Sequence, residues 1–169
     1  MNKRITLTWR LLVGCALLTG CSTTSYNSAE ERNEKEMKAA TETASGRVLA
    51  MMDLKGAVTH GSSHLLECEG YEPAGKVNRA YHPWSVYDVP VEDMETTMAR
   101  MRTALPQNNW KITEDGPDTS PSKTPTLVAD STDGRFSVKL RLMGHRADGR
   151  TSVLAVTVVS SCFRSAPAA

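Results

Sequence analysis

Two runs near the C-terminal end constrain this chain most. Phe136, Val138, Leu140 and Leu142 alternate with Ser137, Lys139 and Arg141, and shortly downstream Val153 to Val159 is apolar at almost every position. A period of two puts successive side chains on opposite faces of a strand. The first run therefore reads as a strand with one wet face. The second is apolar on both faces and reads as a central strand, or one covered on both sides. A turn over 144–150, with Asp148-Gly149 at its end, joins them. Upstream, Thr126 to Ser131 is extended and Thr132-Asp133-Gly134 carries a hairpin signal. Trp110 and Ile112 alternate with Lys111 and Thr113 as a short strand. Residues 114–125, with Pro117, Pro121 and Pro125, read as a loop. A strand or extended segment is expected at 80–88, rich in Tyr81, Trp84, Val86 and Tyr87, and a further strand within 57–69.

Helical spacing appears twice. Val91, Met94, Met98, Met101 and Leu105 form one stripe at intervals of three and four. Pro90 suits the first turn, Glu92 and Asp93 face the positive end of the dipole, and Pro106 should stop the helix. An earlier helix is expected from Ser28-Ala29-Glu30-Glu31, which has capping-box spacing, through Met37, Ala40, Ala44, Val48 and Met51 to a stop at Gly56. Thr41, Thr43, Ser45 and Gly46 weaken its middle, so two pieces are an alternative. The expected fold is α+β: a single domain with an antiparallel sheet of four to six strands and helices packed on one face, the 90–105 stripe lying across Phe136 and Leu140. Only 5% of residues are aromatic, so the core leans on Val, Leu, Met and Ala.

The N-terminus carries a different kind of information. Lys3, Arg4 and Arg10 precede an apolar stretch, Leu11 to Leu18, which leads into Thr19-Gly20-Cys21. The stretch is too short to span a bilayer, which takes about 20 apolar residues, and suits a signal segment. Leu18-Thr19-Gly20-Cys21 resembles the lipobox of bacterial lipoprotein precursors. Leu12-Val13-Gly14-Cys15 matches the same pattern but would leave too little apolar chain after Arg10. An ordinary secretory cut is the other alternative. The resemblance implies cleavage before Cys21, a diacylglyceryl thioether on its sulfur and attachment to the outer face of the cell membrane, with N-acylation of the new terminus left open. The expected organisation is then 1–20 signal peptide, 21–40 lipidated terminus, linker and start of the first helix, 41–165 α+β domain, and 166–169 tail, with 22–27 as flexible tether.

This also sorts the cysteines. Cys15 leaves with the signal and Cys21 takes the lipid, so Cys68 and Cys162 remain as an even pair in an oxidising compartment. A structural disulfide is expected, with two unpaired thiols as the alternative. Three of the 20 basic residues lie in the signal, leaving 17 against 19 acids in the mature chain. No basic stripe is visible, so nucleic acid is not an expected partner.

Groups that do chemistry are sparse. His60 and His64 have the spacing of helical metal ligands, yet Gly61-Ser62-Ser63 between them argues against a helix. No metal or other cofactor is expected, and His82 and His145 add no ligand pattern. No Gly-x-Ser-x-Gly elbow and no phosphate-cradling glycine loop occurs, so no catalytic residues are assigned and an enzyme is not the expected class. Tyr81, His82, Trp84 and Tyr87 form the densest aromatic cluster. They are a candidate binding surface, with core filling as the competing reading.

His82-Pro83-Trp84-Ser85-Val86-Tyr87, Val89-Pro90-Val91-Glu92, Ala104-Leu105-Pro106, Trp110-Lys111-Ile112 and Val158-Val159-Ser160-Ser161-Cys162, taken with the lipobox, resemble small actinobacterial, Streptomyces-type lipoproteins of uncharacterised function. The resemblance covers roughly residues 45–163 and brings no catalytic residues with it. The expected role is a membrane-anchored extracytoplasmic module that binds a protein or an envelope component. An extracytoplasmic hydrolase with dispersed site residues, or a small-ligand carrier, is the alternative.

Overall fold

In a computed structural model of the chain, the structure describes residues 24–59, 61–144 and 152–166. The segment read as a lipobox, with Cys15, Cys21, His60 and His145, lies outside the described residues, as does most of the 166–169 tail. The chain runs β1 (Thr24–Ser25), a 3₁₀ turn at Tyr26–Ser28, β2 (Glu30–Arg32), α1 (Glu34–Met52), β3 (Ala57–Val58), β4 (His64–Glu67), β5 (Tyr71–Glu72) and β6 (Val77–Tyr87). Then follow α2 (Val91–Gln107), β7 (Trp110–Pro117), β8 (Pro125–Ser131), β9 (Phe136–Met143), β10 (Val153–Ser160) and β11 (Phe163–Ser165). No described helix is long and apolar enough to cross a membrane.

Among the described residues the fold is α+β with two α-helices, but its sheet corrects the expectation of four to six antiparallel strands. It has nine strands and is mixed, in the order β2-β11-β6-β10-β9-β8-β7, with β3 and β4 also on β6. The excess comes from β6. At eleven residues, and so about 36 Å long, it takes two partners in series on each edge. β10 and β11 share one edge, and β4 and β3 the other. The parallel component is β2 beside β11, Glu30 opposite Phe163. These added strands are two to four residues long, too short to show a hydrophobic period. Backbone pairing holds them, and that leaves little mark in sequence.

β10 is central, with Val156 between Trp84 of β6 and Leu140 of β9. One face of the sheet gathers Trp84, Val86, Leu154, Val156, Val158, Val138, Leu140 and Leu127 into one core with Ala44, Val48 and Met52 of α1 and Met94, Met98, Met101 and Leu105 of α2. Both helices thus cover the same face. The two are joined by Arg100 of α2, whose Nη1 donates to the carbonyls of Met52 at 2.6 Å and Asp53 at 3.2 Å. That places a cation on the unpaired carbonyls at the end of α1.

The helix boundaries differ from expectation. α1 starts after Asn33, whose side chain accepts from the Glu36 N–H at 3.2 Å, and the Ser28–Glu31 segment is instead taken into a 3₁₀ turn and β2. α1 is one continuous helix and ends on Asp53 in the left-handed conformation. Thr41 is accommodated in its buried middle because its hydroxyl donates to the Met37 carbonyl at 2.7 Å. Pro106 does not stop α2, which continues to Gln107.

Cys68 and Cys162 are joined as a disulfide. Around it pack Ala29, Tyr71 and Val77. Val77 lies an odd number of residues from Ala80, which packs with Met37 of α1, so this small cluster sits on the sheet face opposite the helices.

Candidate functional site

Strand alternation divides the aromatic cluster that the sequence places together. His82, Trp84 and Val86 point towards the helices, while Tyr81, Pro83, Ser85 and Tyr87 point to the other face. Tyr81 stacks at a tilt on His64, ring centres 5.1 Å apart. The four residues Tyr81, His82, Trp84 and Tyr87 therefore do not form one surface. Trp84 is 6% exposed and belongs to the core. Its indole N–H is buried without a partner among the described residues, so it contributes a ring and no accessible donor.

His82 lies at the rim of a pocket of about 130 Å³ between α1, β6 and the segment after β3, with Glu42, Ser45, Leu49, Val58 and Trp84 around it. Its Nε2 is 2.9 Å from the Gly61 carbonyl and its Nδ1 is 2.8 Å from Ser45 Oγ. A carbonyl can only accept, so Nε2 carries the proton, and in the neutral ring Nδ1 accepts from the serine hydroxyl. Glu42 does not complete a relay. Its Oε1 accepts from both the N–H and the hydroxyl of Ser63, each at 2.8 Å, and these bonds, backbone first, hold its carboxyl below the usual range. The group fastens the segment before β4 onto α1.

A larger cleft of about 710 Å³ opens at the end of the sheet, where the second half of α1, the α2–β7 turn and the β8–β9 hairpin meet. Arg47, Asn108, Asn109, Trp110, Asp133 and Phe136 are among its walls. Local geometry explains how these side chains are presented. Asn109 takes a left-handed conformation, φ 63°, which asparagine tolerates better than most residues, and turns the chain sharply from α2 into β7. The Asn109 carbonyl accepts from the Thr132 N–H at 2.8 Å, tying that turn to the hairpin. In the hairpin, Asp133 Oδ1 accepts from the Ser131 hydroxyl at 2.6 Å and the Arg135 N–H at 3.1 Å. These bonds, the serine first, lower its pKa. Across the cleft, the exposed Arg47 has no hydrogen bond or ion pair among the described residues.

Trp110 and Phe136 are both 7% exposed and present little surface to the cleft. The result is an open concavity lined by the Asp133 carboxylate, the exposed Arg47, two asparagines and two mostly buried aromatic rings. Sequence reasoning did not find it, because its residues come from three distant segments and none carries a motif. The local signal among them is Thr132-Asp133-Gly134, which reads as a hairpin turn. Among the described residues, no cluster of three or more metal-ligating side chains gathers at either site or elsewhere.

Comparison with protein-family models, curated proteins and solved structures returns no match.

Proposed function

We propose that this protein is a lipid-anchored extracytoplasmic binding module, and that the 710 Å³ cleft is where it holds a protein segment or another envelope component. The lipobox ending in Cys21 supports the anchor, and with it the kinship to small actinobacterial lipoproteins. The cleft supports the binding role. Its volume is in the range of ligand sites, about 300–1,000 Å³, and it offers donors, acceptors and both charge signs to a polar chain. The observation that carries the reading is the exposed Arg47, which makes no hydrogen bond or ion pair among the described residues, on the wall of a cleft where the Asp133 carboxylate is already satisfied by its own hairpin. A planar fork of donors on the exposed wall of a concavity suits a carboxylate or amide of a ligand.

Two measurements test it. Metabolic labelling with a fatty-acid analogue should mark the wild-type protein and the Cys15→Ser variant but not Cys21→Ser, which should also leave the membrane fraction. Titration of the Cys21→Ser domain with fragments of the purified cell envelope should shift the Arg47 and Asn109 resonances, and Arg47→Glu should weaken the response without changing the fold.

The Ser45–His82 pair favours a second reading, a hydrolase. A serine hydroxyl donating to an imidazole whose other nitrogen is held by a carbonyl is a nucleophile–base–orienter arrangement. Ser45, however, is 3% exposed in the middle of α1, where an incoming carbonyl has little access. A fluorophosphonate probe decides the matter: covalent labelling lost in Ser45→Ala would establish the hydrolase, and no labelling would remove it.

A further inference from the structure

Residues 22–27 are expected to form a flexible tether, but from Thr24 onwards the structure builds this segment into the domain. Thr24 and Ser25 pair in parallel with Tyr71 and Glu72. Ser28 then caps the turn by donating to the Ser25 carbonyl at 2.6 Å. Ala29 is buried against the Cys68–Cys162 region, and its carbonyl accepts from Arg164 Nε at 2.8 Å. β2 follows at once, paired along β11. From Thr24 onwards, therefore, the chain has no slack.

We infer that the surface formed by β1, β5 and the adjoining 69–76 segment is held against the lipid headgroups, so that the domain sits directly on the membrane in one orientation. The inference rests on lipidation of Cys21. Only Ser22 and Thr23 then separate the lipidated residue from the first paired one. Three extended residues span at most about 11 Å. The headgroup layer of one leaflet is itself about 5–8 Å thick, so little of that span is left to lift the domain away.

The geometry makes the tether, and not surface charge, responsible. Glu69 and Glu72 are exposed here beside Lys76, which gives no attraction for an anionic bilayer. The disulfide contributes by fixing the same end of the fold. Cys68 lies three residues before β5 and Cys162 just before β11, so the bridge clamps the segments on which β1 and β2 are seated. From Glu34 to Arg47, α1 rises about 20 Å, carrying the cleft wall away from the anchored end of the chain.

The test uses the mature lipidated protein in vesicles of phosphatidylcholine and phosphatidylglycerol, with carbodiimide-driven labelling of carboxylates read by mass spectrometry. Relative to the soluble Cys21→Ser domain, Glu69 and Glu72 should be labelled several-fold more slowly, while exposed Glu95 on α2 is labelled equally in both. An insertion of eight Gly/Ser residues between Thr23 and Thr24 should return Glu69 and Glu72 to the soluble rate with the protein still membrane-bound. Equal labelling of lipidated and soluble forms overturns the inference, and protection that survives the insertion overturns it by showing intrinsic affinity of this face for lipid. Absence of the lipid mass on Cys21 removes the anchored reading itself, a result separate from either of these.

Discussion

Ser45 Oγ lies 2.8 Å from Nδ1 of His82, joining the middle of α1 to β6 across a partly buried contact. The same imidazole holds the Gly61 carbonyl at 2.9 Å, so one ring ties together a helix, a strand and a loop. His82→Phe keeps much of the ring volume but strands the Ser45 hydroxyl and the carbonyl. A loss of about 1–3 kcal/mol is expected. Ser45→Ala should cost less, and the double variant should fall short of the sum of the two. Denaturant titration of the Cys21→Ser domain measures all three. Strict additivity would show that the pair contributes nothing as a unit.

The disulfide closes a span of 94 residues, for which the chain-entropy account gives about 4–5 kcal/mol. Replacing both cysteines, Cys68→Ser with Cys162→Ser, should lower the melting temperature by something on the order of 10 °C. The first losses of amide protection should fall in β1, β2 and β5, the segments packed round the bridge. A thermal scan and hydrogen exchange on the same variant check both points.

Gly56 is a position where the backbone leaves no room. A Cβ there would come within 2.3 Å of Val89 Cγ2 and 2.8 Å of the Tyr87 carbonyl oxygen. Gly56→Ala should therefore destabilise by about 1–3 kcal/mol through overpacking, whereas Gly46→Ala, which meets nothing within 4 Å, should be neutral or stabilising as helix propensity dictates. Equal effects at the two sites would contradict the close approach of β3 to β6.

Asp118 should contribute to the acid end of the stability profile. The Ser120 hydroxyl, then Arg141 at 2.8 Å, and the N–H groups of Ser120 and Thr124 draw its pKa down from 3.8 to about 2. A carboxyl depressed in the folded state stabilises it above the unfolded pKa, and that contribution is lost as pH falls through the folded one. The window is therefore about pH 4 down to 2. The stability gap between wild type and Asp118→Asn should be widest at neutral pH and close across that window. A constant gap would exclude Asp118 as the cause.

The parts of this fold that could be read in the sequence are those whose partners are near or whose period is long. The Met94–Met98–Met101–Leu105 stripe and the alternation of Phe136 to Leu142 needed only their own spacing, and both lie in the core as α2 and β9. The apolar run at 153–159 is the central β10. What escaped was set by distant backbone pairing. Glu30 and Glu31, read as the start of a helix, are taken by β11 from the far end of the chain. Gly56, read as a helix stop, is a site of close packing, and Asp53 ends α1 instead. The aromatic cluster was visible as residues, but alternation along β6 sends its members to two faces. The cleft at Arg47 and Asp133 has no signature as a site, because α1, the α2–β7 turn and the β8–β9 hairpin bring its residues together from distant parts of the chain.

The binding role proposed for the Arg47–Asp133 cleft is that it takes a protein segment or another envelope component. The most direct measurement places a photoreactive residue at Thr132, on the cleft wall, in the full-length protein in living cells. Illumination should yield a discrete adduct that disappears when Arg47→Glu is added and is absent when the photoreactive residue replaces exposed Glu95 on α2. Loss of membrane anchoring in Cys21→Ser should weaken it. No adduct from Thr132, or one that Arg47→Glu leaves unchanged, would contradict the assignment of this cleft as the binding site.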